Sequence, residues 1–364
     1  MKSFCRNGFG SATFRSRRKG RDVTHVPARP QYRAAITPPF FIGPGSTAQT
    51  LEWIRWAESI GYDDVWLPDA GGTDALTLSA VVLVGTQRIR VGIAVVPAYT
   101  RTPAVLAATV ATLADLAPGR FALGLGTSSE AMIEGWHGMK LEKPATRMRE
   151  TVTLLKTMLA GEKTAFRGDT LHSTGYRQPA LAAKVPLLLA ALGPRMIELA
   201  ASVADGVILN LFPLSATEAL VGQIRQAATR AGRQPDEIEV CSRFQVMVTD
   251  DVPGARNAFR HVFTPYYANP VYNRSLASAG HTEQAATILE AAAAGDWKRA
   301  RAALDDDVVD SIAVIGSREH CQERVRAYVD AGITTPILFC LSPDPEVQRA
   351  TYSAFAPAEF VVQP

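Results

Sequence analysis

From Arg33 to Phe355 the chain repeats one alternation without pause: a short apolar run, a turn marked by glycine or proline, then a longer stretch with apolar residues at helical spacing. A strand that rejoins its sheet after a helical crossover runs parallel to its predecessor, so sustained alternation predicts a parallel sheet wrapped by helices. The predicted strands are the first half of 33–42, then 64–69, 89–96, 120–126, 185–191, 206–211, 237–248 and 336–340. With a last helix over 345–355, these eight strands predict an α/β fold of the (β/α)8 TIM-barrel type. Two interruptions are expected, a β insertion over 162–178 before strand five and a long helical insertion between strands seven and eight. Ser46 or Thr47 is expected to cap the first helix and Gly61 to end it.

A barrel of this size needs a large apolar core, and the 364 residues are 47% hydrophobic and 20% charged, as in globular proteins. No apolar run approaches the ~20 residues needed to cross a bilayer, so no membrane partner is expected. The net charge of +3 is unevenly spread: residues 1–33 hold nine Lys and Arg against Asp22 alone, a net +8, which leaves −5 on the remainder. Residues 1–32 are expected to be a basic, disordered tail and 33–364 a single barrel domain. The tail shares the Arg- and Ser-rich, acid-poor composition of a transit peptide and lacks the apolar centre of a secretory signal. A mildly acidic body argues against nucleic acid as a partner, because phosphate backbones require a basic face.

Cys5, Cys241, Cys321 and Cys340 show no C-x-x-C spacing, and the six histidines form no H-x-x-x-H pair. Neither a disulfide framework nor a metal centre is expected, and the reducing cytoplasm is the expected compartment.

Two corners stand out as places where a ligand's flat or anionic part can approach the backbone. Arg120–Leu125 reads as a buried strand opening into Gly126-Thr127-Ser128-Ser129, a loop of small residues with hydroxyls and free amides. A tight turn beneath a packed sheet explains the same residues. Ala191-Leu192-Gly193-Pro194 runs from a strand into a helix start, where unpaired amides face an anion; an ordinary strand-to-helix turn is the competing reading. Tyr266, Tyr267 and Tyr272, set among prolines, are candidates for lining a substrate pocket or for surface packing.

Residues 50–356 resemble the luciferase-like monooxygenase superfamily, and within it the coenzyme F420 (deazaflavin)-dependent oxidoreductases. The resemblance rests on Ala57–Tyr62 leading to Val65–Asp69, Pro118–Arg120 leading to Gly124–Ser128, Ala190–Pro194 and Ala204–Val207. Trp136-His137-Gly138 and Glu142-Lys143-Pro144 point to the deazaflavin branch rather than the FMN branch. The resemblance implies hydride transfer between F420 and a small organic substrate, with the ring across the carboxyl ends of the strands. FMN with a partner reductase, and a non-catalytic deazaflavin-binding protein, are the alternatives; a homodimer is expected from the family.

The resemblance also implies site residues. Asp69 falls where the family places an acid near ring or substrate, although a cap on the following helix explains it too. Ile93-Ala94 match the family's non-prolyl cis peptide behind the ring, Gly126, Thr127 and Ser128 the ring edge, and Ala191, Leu192, Gly193 and Pro194 the phosphate turn. Asp69, Glu130 and His137 are the candidate catalytic groups; for His137, packing beside Trp136 is the competing reading. A relative that oxidises a sugar phosphate carries a glutamate where this chain has Ser129 and a histidine where it has Ala70, so neither that substrate nor that proton relay is expected here.

Overall fold

The computed structural model describes residues 32–41 and 43–361. The expected tail, with Cys5 and His25, lies outside the described residues except for Tyr32, whose ring meets Phe360 edge-on with centroids 6.0 Å apart. The strands are β1 (Ala35–Ile36), β2 (Asp64–Leu67), β3 (Arg90–Pro97), β4 (Phe121–Gly126), β5 (Ala165–Arg167), β6 (His172–Thr174), β7 (Leu187–Ala190), β8 (Gly206–Asn210), β9 (Glu239–Val248), β10 (Val314–Gly316) and β11 (Thr335–Phe339).

Eight of these form a parallel barrel in the order β1-β2-β3-β4-β7-β8-β9-β11, and the pairing of β11 with β1 closes it. The predicted (β/α)8 fold is therefore present, and each boundary falls within about three residues of the sequence reading, as expected where the ends of strands and helices fray. β5 and β6 make the expected insertion, an antiparallel hairpin. Its turn is fixed by the buried Glu150, which accepts hydrogen bonds from the N–H groups of Asp169, Thr170 and Leu171 at 2.6, 2.9 and 2.8 Å.

Two local features differ from expectation. Gly45, in the left-handed conformation at φ 82°, precedes the first helix (Ser46–Ser59) in place of a Ser46 or Thr47 cap; glycine is the residue that adopts this turn without a Cβ clash. The insertion after β9 also holds a strand, β10, paired in parallel with Val246–Val248, where β9 overruns the barrel wall.

Side chains alternate in and out along each strand, so the barrel interior is built in layers. At the amino ends of the strands, Arg90 bridges Asp64 and Glu239, each at 2.5 Å, and Arg33 joins Asp64 at 2.5 Å. The Thr335 hydroxyl donates to Glu239 at 2.7 Å. Above this ionic floor lies an apolar plug of Trp66, Ala122, Leu188, Ile208, Cys241 and Ile337. The larger core fills the space between barrel and helices.

Candidate active site

At the carboxyl end the interior divides into two walls. Neighbouring strands β3, β4 and β7 present only small or apolar groups there: Ala94, Val95, Gly124, Gly126 and Ala190. Strands β8, β9 and β11 oppose them with Asn210, Arg243, Gln245 and Phe339, each spaced by two or four residues from a plug residue on the same strand.

The small wall is enforced sterically. A Cβ on Gly124 would lie 2.0 Å from the Ile93 carbonyl oxygen, and one on Gly126 would lie 2.3 Å from Val95 Cγ2. The β3–β4 register shifts between Ile93 and Val96, and the cis peptide joins Ala94 to Val95. It thus sits one bond later than the expected Ile93-Ala94. The Ile93 side chain points outward into the core beneath the helices, whereas Ala94 and Val95 pack on the interior cluster. Val95, not Ile93, belongs with Ala94 on the inner wall.

The two corners leave adjacent strands. β4 pairs with β7 through Leu125 and Leu189, so Gly126 and Ala190 form the next rung, with a Cβ on Gly126 only 3.7 Å from that of Ala190. Beyond Gly126, Ser128 turns the chain with a left-handed φ of 63° and aims its hydroxyl at Met132 Sδ, 3.1 Å away. The Thr127 hydroxyl reaches only a 3.5 Å contact with the Ser128 carbonyl.

At the second corner Ala191 is part of the wall: its N–H donates to the Ile208 carbonyl at 3.1 Å and its side chain is buried in the core. Leu192, Gly193 and Pro194 form the open part. Gly193 stands at the N-cap of helix Pro194–Val203 with an ordinary extended backbone, φ −109°. No atom lies within 4 Å of where its Cβ would be. Among the described residues the N–H groups of Leu192, Gly193 and Arg195 have no hydrogen-bond partner. A helix start with free amides and an uncrowded glycine is a ready anion site.

Asp69 lies just past β2. Its Oδ2 accepts from Arg101 Nη1 at 2.6 Å, and its Oδ1 meets the Ala75 N–H only at 3.4 Å. Helix Ala75–Gly85 is capped by Asp74, which accepts from the Thr77 N–H at 2.7 Å. The capping role considered for Asp69 thus falls to Asp74. Arg101 pairs with both carboxylates, and local sequence patterns did not reveal it because its partners are 32 and 27 positions away.

Glu130 and His137 bracket a π-helical turn, Ala131–Trp136, and both are exposed. The Trp136 ring lies over Gly71, where a Cβ would be 3.3 Å from Cζ3. The turn after β4 therefore reaches the loop that carries Asp69. Of the three tyrosines, Tyr267 is core and donates to the Leu211 carbonyl at 3.2 Å, Tyr266 is 40% exposed, and the Tyr272 hydroxyl accepts from Asn210 Nδ2 at 3.3 Å. Tyr267 is thus a packing residue, and Tyr272 meets the wall that carries Asn210.

Surface cavities of about 260 Å³ beside Thr102, Leu154 and His172, and about 390 Å³ beside Lys156, Lys184 and Asp205, contain none of these groups. Cys241, Cys321 and Cys340 are buried free thiols, and burial pushes Cys321 up to about 12. Among the described residues no cluster of three or more His, Cys, Asp and Glu is arranged for a metal, and no helix is long and apolar enough to cross a membrane.

Residues 24–335 match the family model described as luciferase-like monooxygenase. The chain belongs to this family. One relative, a 5,10-methylenetetrahydromethanopterin reductase of Methanolobus tindarius, is 30% identical over 297 residues, covering 81% of this chain and 90% of that protein. An F420-dependent glucose-6-phosphate dehydrogenase of Nakamurella multipartita is 32% identical over 213 residues, 54% of this chain and 62% of its own length. The solved structure of coenzyme F420-dependent tetrahydromethanopterin reductase from Methanopyrus kandleri shares the fold with a TM-score of 0.76 at 22% identity, over 91% of this chain and 98% of its own. The luciferase-like barrel read from the motifs is thus established for this chain.

Proposed function

We propose that this luciferase-like protein is a coenzyme F420-dependent oxidoreductase that transfers a hydride between the deazaflavin and a small organic substrate at the carboxyl mouth of the barrel. The observation that carries this reading is the junction of β4 and β7, where a small-residue wall continues directly into a helix start with free amides. A flat ring joined to a phosphate needs those two features side by side. F420 dependence in a sequence relative adds support.

When bound, the deazaflavin supplies the two-electron hydride carrier. The protein positions it and excludes water. Ala94, Val95 and Gly126 would back the ring, Thr127 and Ser128 would meet its edge, and the amides of Leu192, Gly193 and Arg195 would hold the phosphate, with Pro194 fixing the helix start. Asp69, held by Arg101, is the first candidate to orient or protonate the substrate; Glu130 and His137 are further candidates on the facing turn. General acid–base work requires one of these within hydrogen-bond reach of the reacting group.

Parallel titration with F420 and FMN tests the assignment, with saturable binding of F420 and none of FMN as the expected result. The reverse preference assigns the FMN branch, and F420 uptake without hydride transfer to any acceptor assigns a non-catalytic carrier. A cytoplasmic homodimer completes the proposal. Exposed Val81, Val84, Val105 and Leu116, on two helices that touch, offer the contact face, and sedimentation of a Val84→Glu, Val105→Glu variant as a smaller species would support it.

A further inference from the structure

Arg243 is a cation with no countercharge among the described residues. It lies on the inner face of β9 with its guanidinium carbon 4.4 Å from the centre of the Phe339 ring. Among the described residues its side chain makes no hydrogen bond and no ion pair, and its Nε is buried without a partner. The ionisable groups around it are Tyr266, Tyr272 and Tyr352, with no carboxylate among them, and burial pulls its pKa below the ordinary arginine value.

Its neighbours are orphaned in the same way. Gln245, two residues along the same face and 3% exposed, has neither its amide nitrogen nor its amide oxygen paired, and Asn210, the register partner of Arg243 on β8, has an unpaired Oδ1. Buried polar groups are ordinarily satisfied, and an uncompensated buried charge is costly. Four such atoms on one wall at the carboxyl end of the barrel are unsatisfied by the protein itself, as groups completed by a ligand would be. A planar anion suits the guanidinium fork, and the phenyl face of Phe339 flanks it with an apolar surface.

We propose that Arg243, assisted by Gln245, binds the carboxylate of an organic acid substrate at the barrel mouth, facing the small-residue wall across the barrel. The carboxylate takes donors from Arg243 and from Gln245 Nε2, leaving the amide oxygens of Asn210 and Gln245 as acceptors for a hydroxyl or water beside it. The inference deepens the proposed function and rests on that reading for the hydride step, not for carboxylate binding itself.

The test titrates benzoate and its neutral isostere benzamide into the protein with and without F420, followed by ligand-observed NMR. Wild type is expected to hold benzoate at least tenfold tighter than benzamide in both arms. Arg243→Gln is expected to erase that preference and Gln245→Leu to weaken benzoate severalfold, with F420 affinity unchanged in both. Thermal midpoint gives a readout that a purely structural arginine would move the other way: Arg243→Met is expected to melt at the same or a higher temperature than wild type. Equal affinity for the two probes, a preference that survives Arg243→Gln, or displacement of benzoate by F420 overturns the proposal, the last by giving Arg243 to the cofactor. Failure to bind F420 at all overturns the proposed function alone, because the cofactor-free arm still judges Arg243.

Discussion

Arg101 Nη1 donates to Asp69 Oδ2 at 2.6 Å, tying the acid that follows β2 to the loop that follows β3. The same guanidinium pairs with Asp74 at the start of the next helix, so Arg101 is held by two carboxylates at once and fixes Asp69 against that helix start. Arg101→Gln is expected to lower kcat/KM for hydride transfer by roughly 10- to 100-fold, about 1.4 to 2.8 kcal/mol of transition-state stabilisation. The thermal midpoint should change little, since partly exposed pairs contribute about 1 kcal/mol or less. If the arginine acts through Asp69, Asp69→Asn shows a similar loss and the double variant loses little more; additive losses in that cycle would separate the two residues.

Gly193 offers a cleaner probe of the proposed phosphate site. Its backbone is extended and nothing lies within 4 Å of the Cβ position, so the protein itself does not require glycine there. Serine is a good N-cap residue, and Gly193→Ser is expected to keep or slightly raise the melting temperature. Its F420 affinity is expected to fall at least tenfold, because the added side chain enters space otherwise left to the ligand. Unchanged affinity in an equilibrium titration would remove this corner from the site.

The ionic floor sets an acid limit on stability. Burial alone would raise the Glu239 pKa, but hydrogen bonding and charge from Arg90, with the Thr335 hydroxyl, outweigh it and lower the carboxyl from 4.5 to about 2. A pKa lower in the folded than in the unfolded state gives stability that is complete above pH 4.5 and lost as pH falls towards 2. The contribution is on the order of 3 kcal/mol. Denaturant midpoints measured from about pH 7 down to about pH 2 should stay level and then drop in that window. Glu239→Gln should be less stable at neutral pH and show a shallower drop.

Gly92 is required by Trp66. A Cβ there would lie 2.5 Å from the indole ring, and the ring is fully buried in the barrel with no room to retreat. Gly92→Ala is expected to destabilise by about 1–3 kcal/mol, the usual cost of overpacking, read as a lower urea midpoint at unchanged slope. Trp66→Phe in the Gly92→Ala background should recover part of the loss.

The barrel was legible because strands buried on both faces read as short apolar runs between turn signals, and β3, β4, β7 and β8 all have that form. β10 was not, since three residues at the overrun of β9 carry too little pattern to separate from the helices around them. The two corners of the proposed site stood out through glycine and helix-start chemistry, and the cis bond was placed one residue too early. The polar wall was missed although a signal existed. Glu239, Arg243 and Gln245 occupy same-face positions of a strand whose length and neighbours mark it as fully enclosed, and charged or amide side chains there require a reason. Arg101 left no such trace, because its meaning lies entirely in two loops brought together by the fold.

The ring of Arg33, Asp64, Arg90, Glu239 and Thr335 seals the barrel from beneath. Among the described residues this cluster and the apolar plug above it close the amino end, which leaves the carboxyl end as the proposed way in. If cofactor and substrate share the carboxyl end, as proposed, the deeper of the two has to enter first and leave last, and an inhibitor would act at that threshold rather than from beneath.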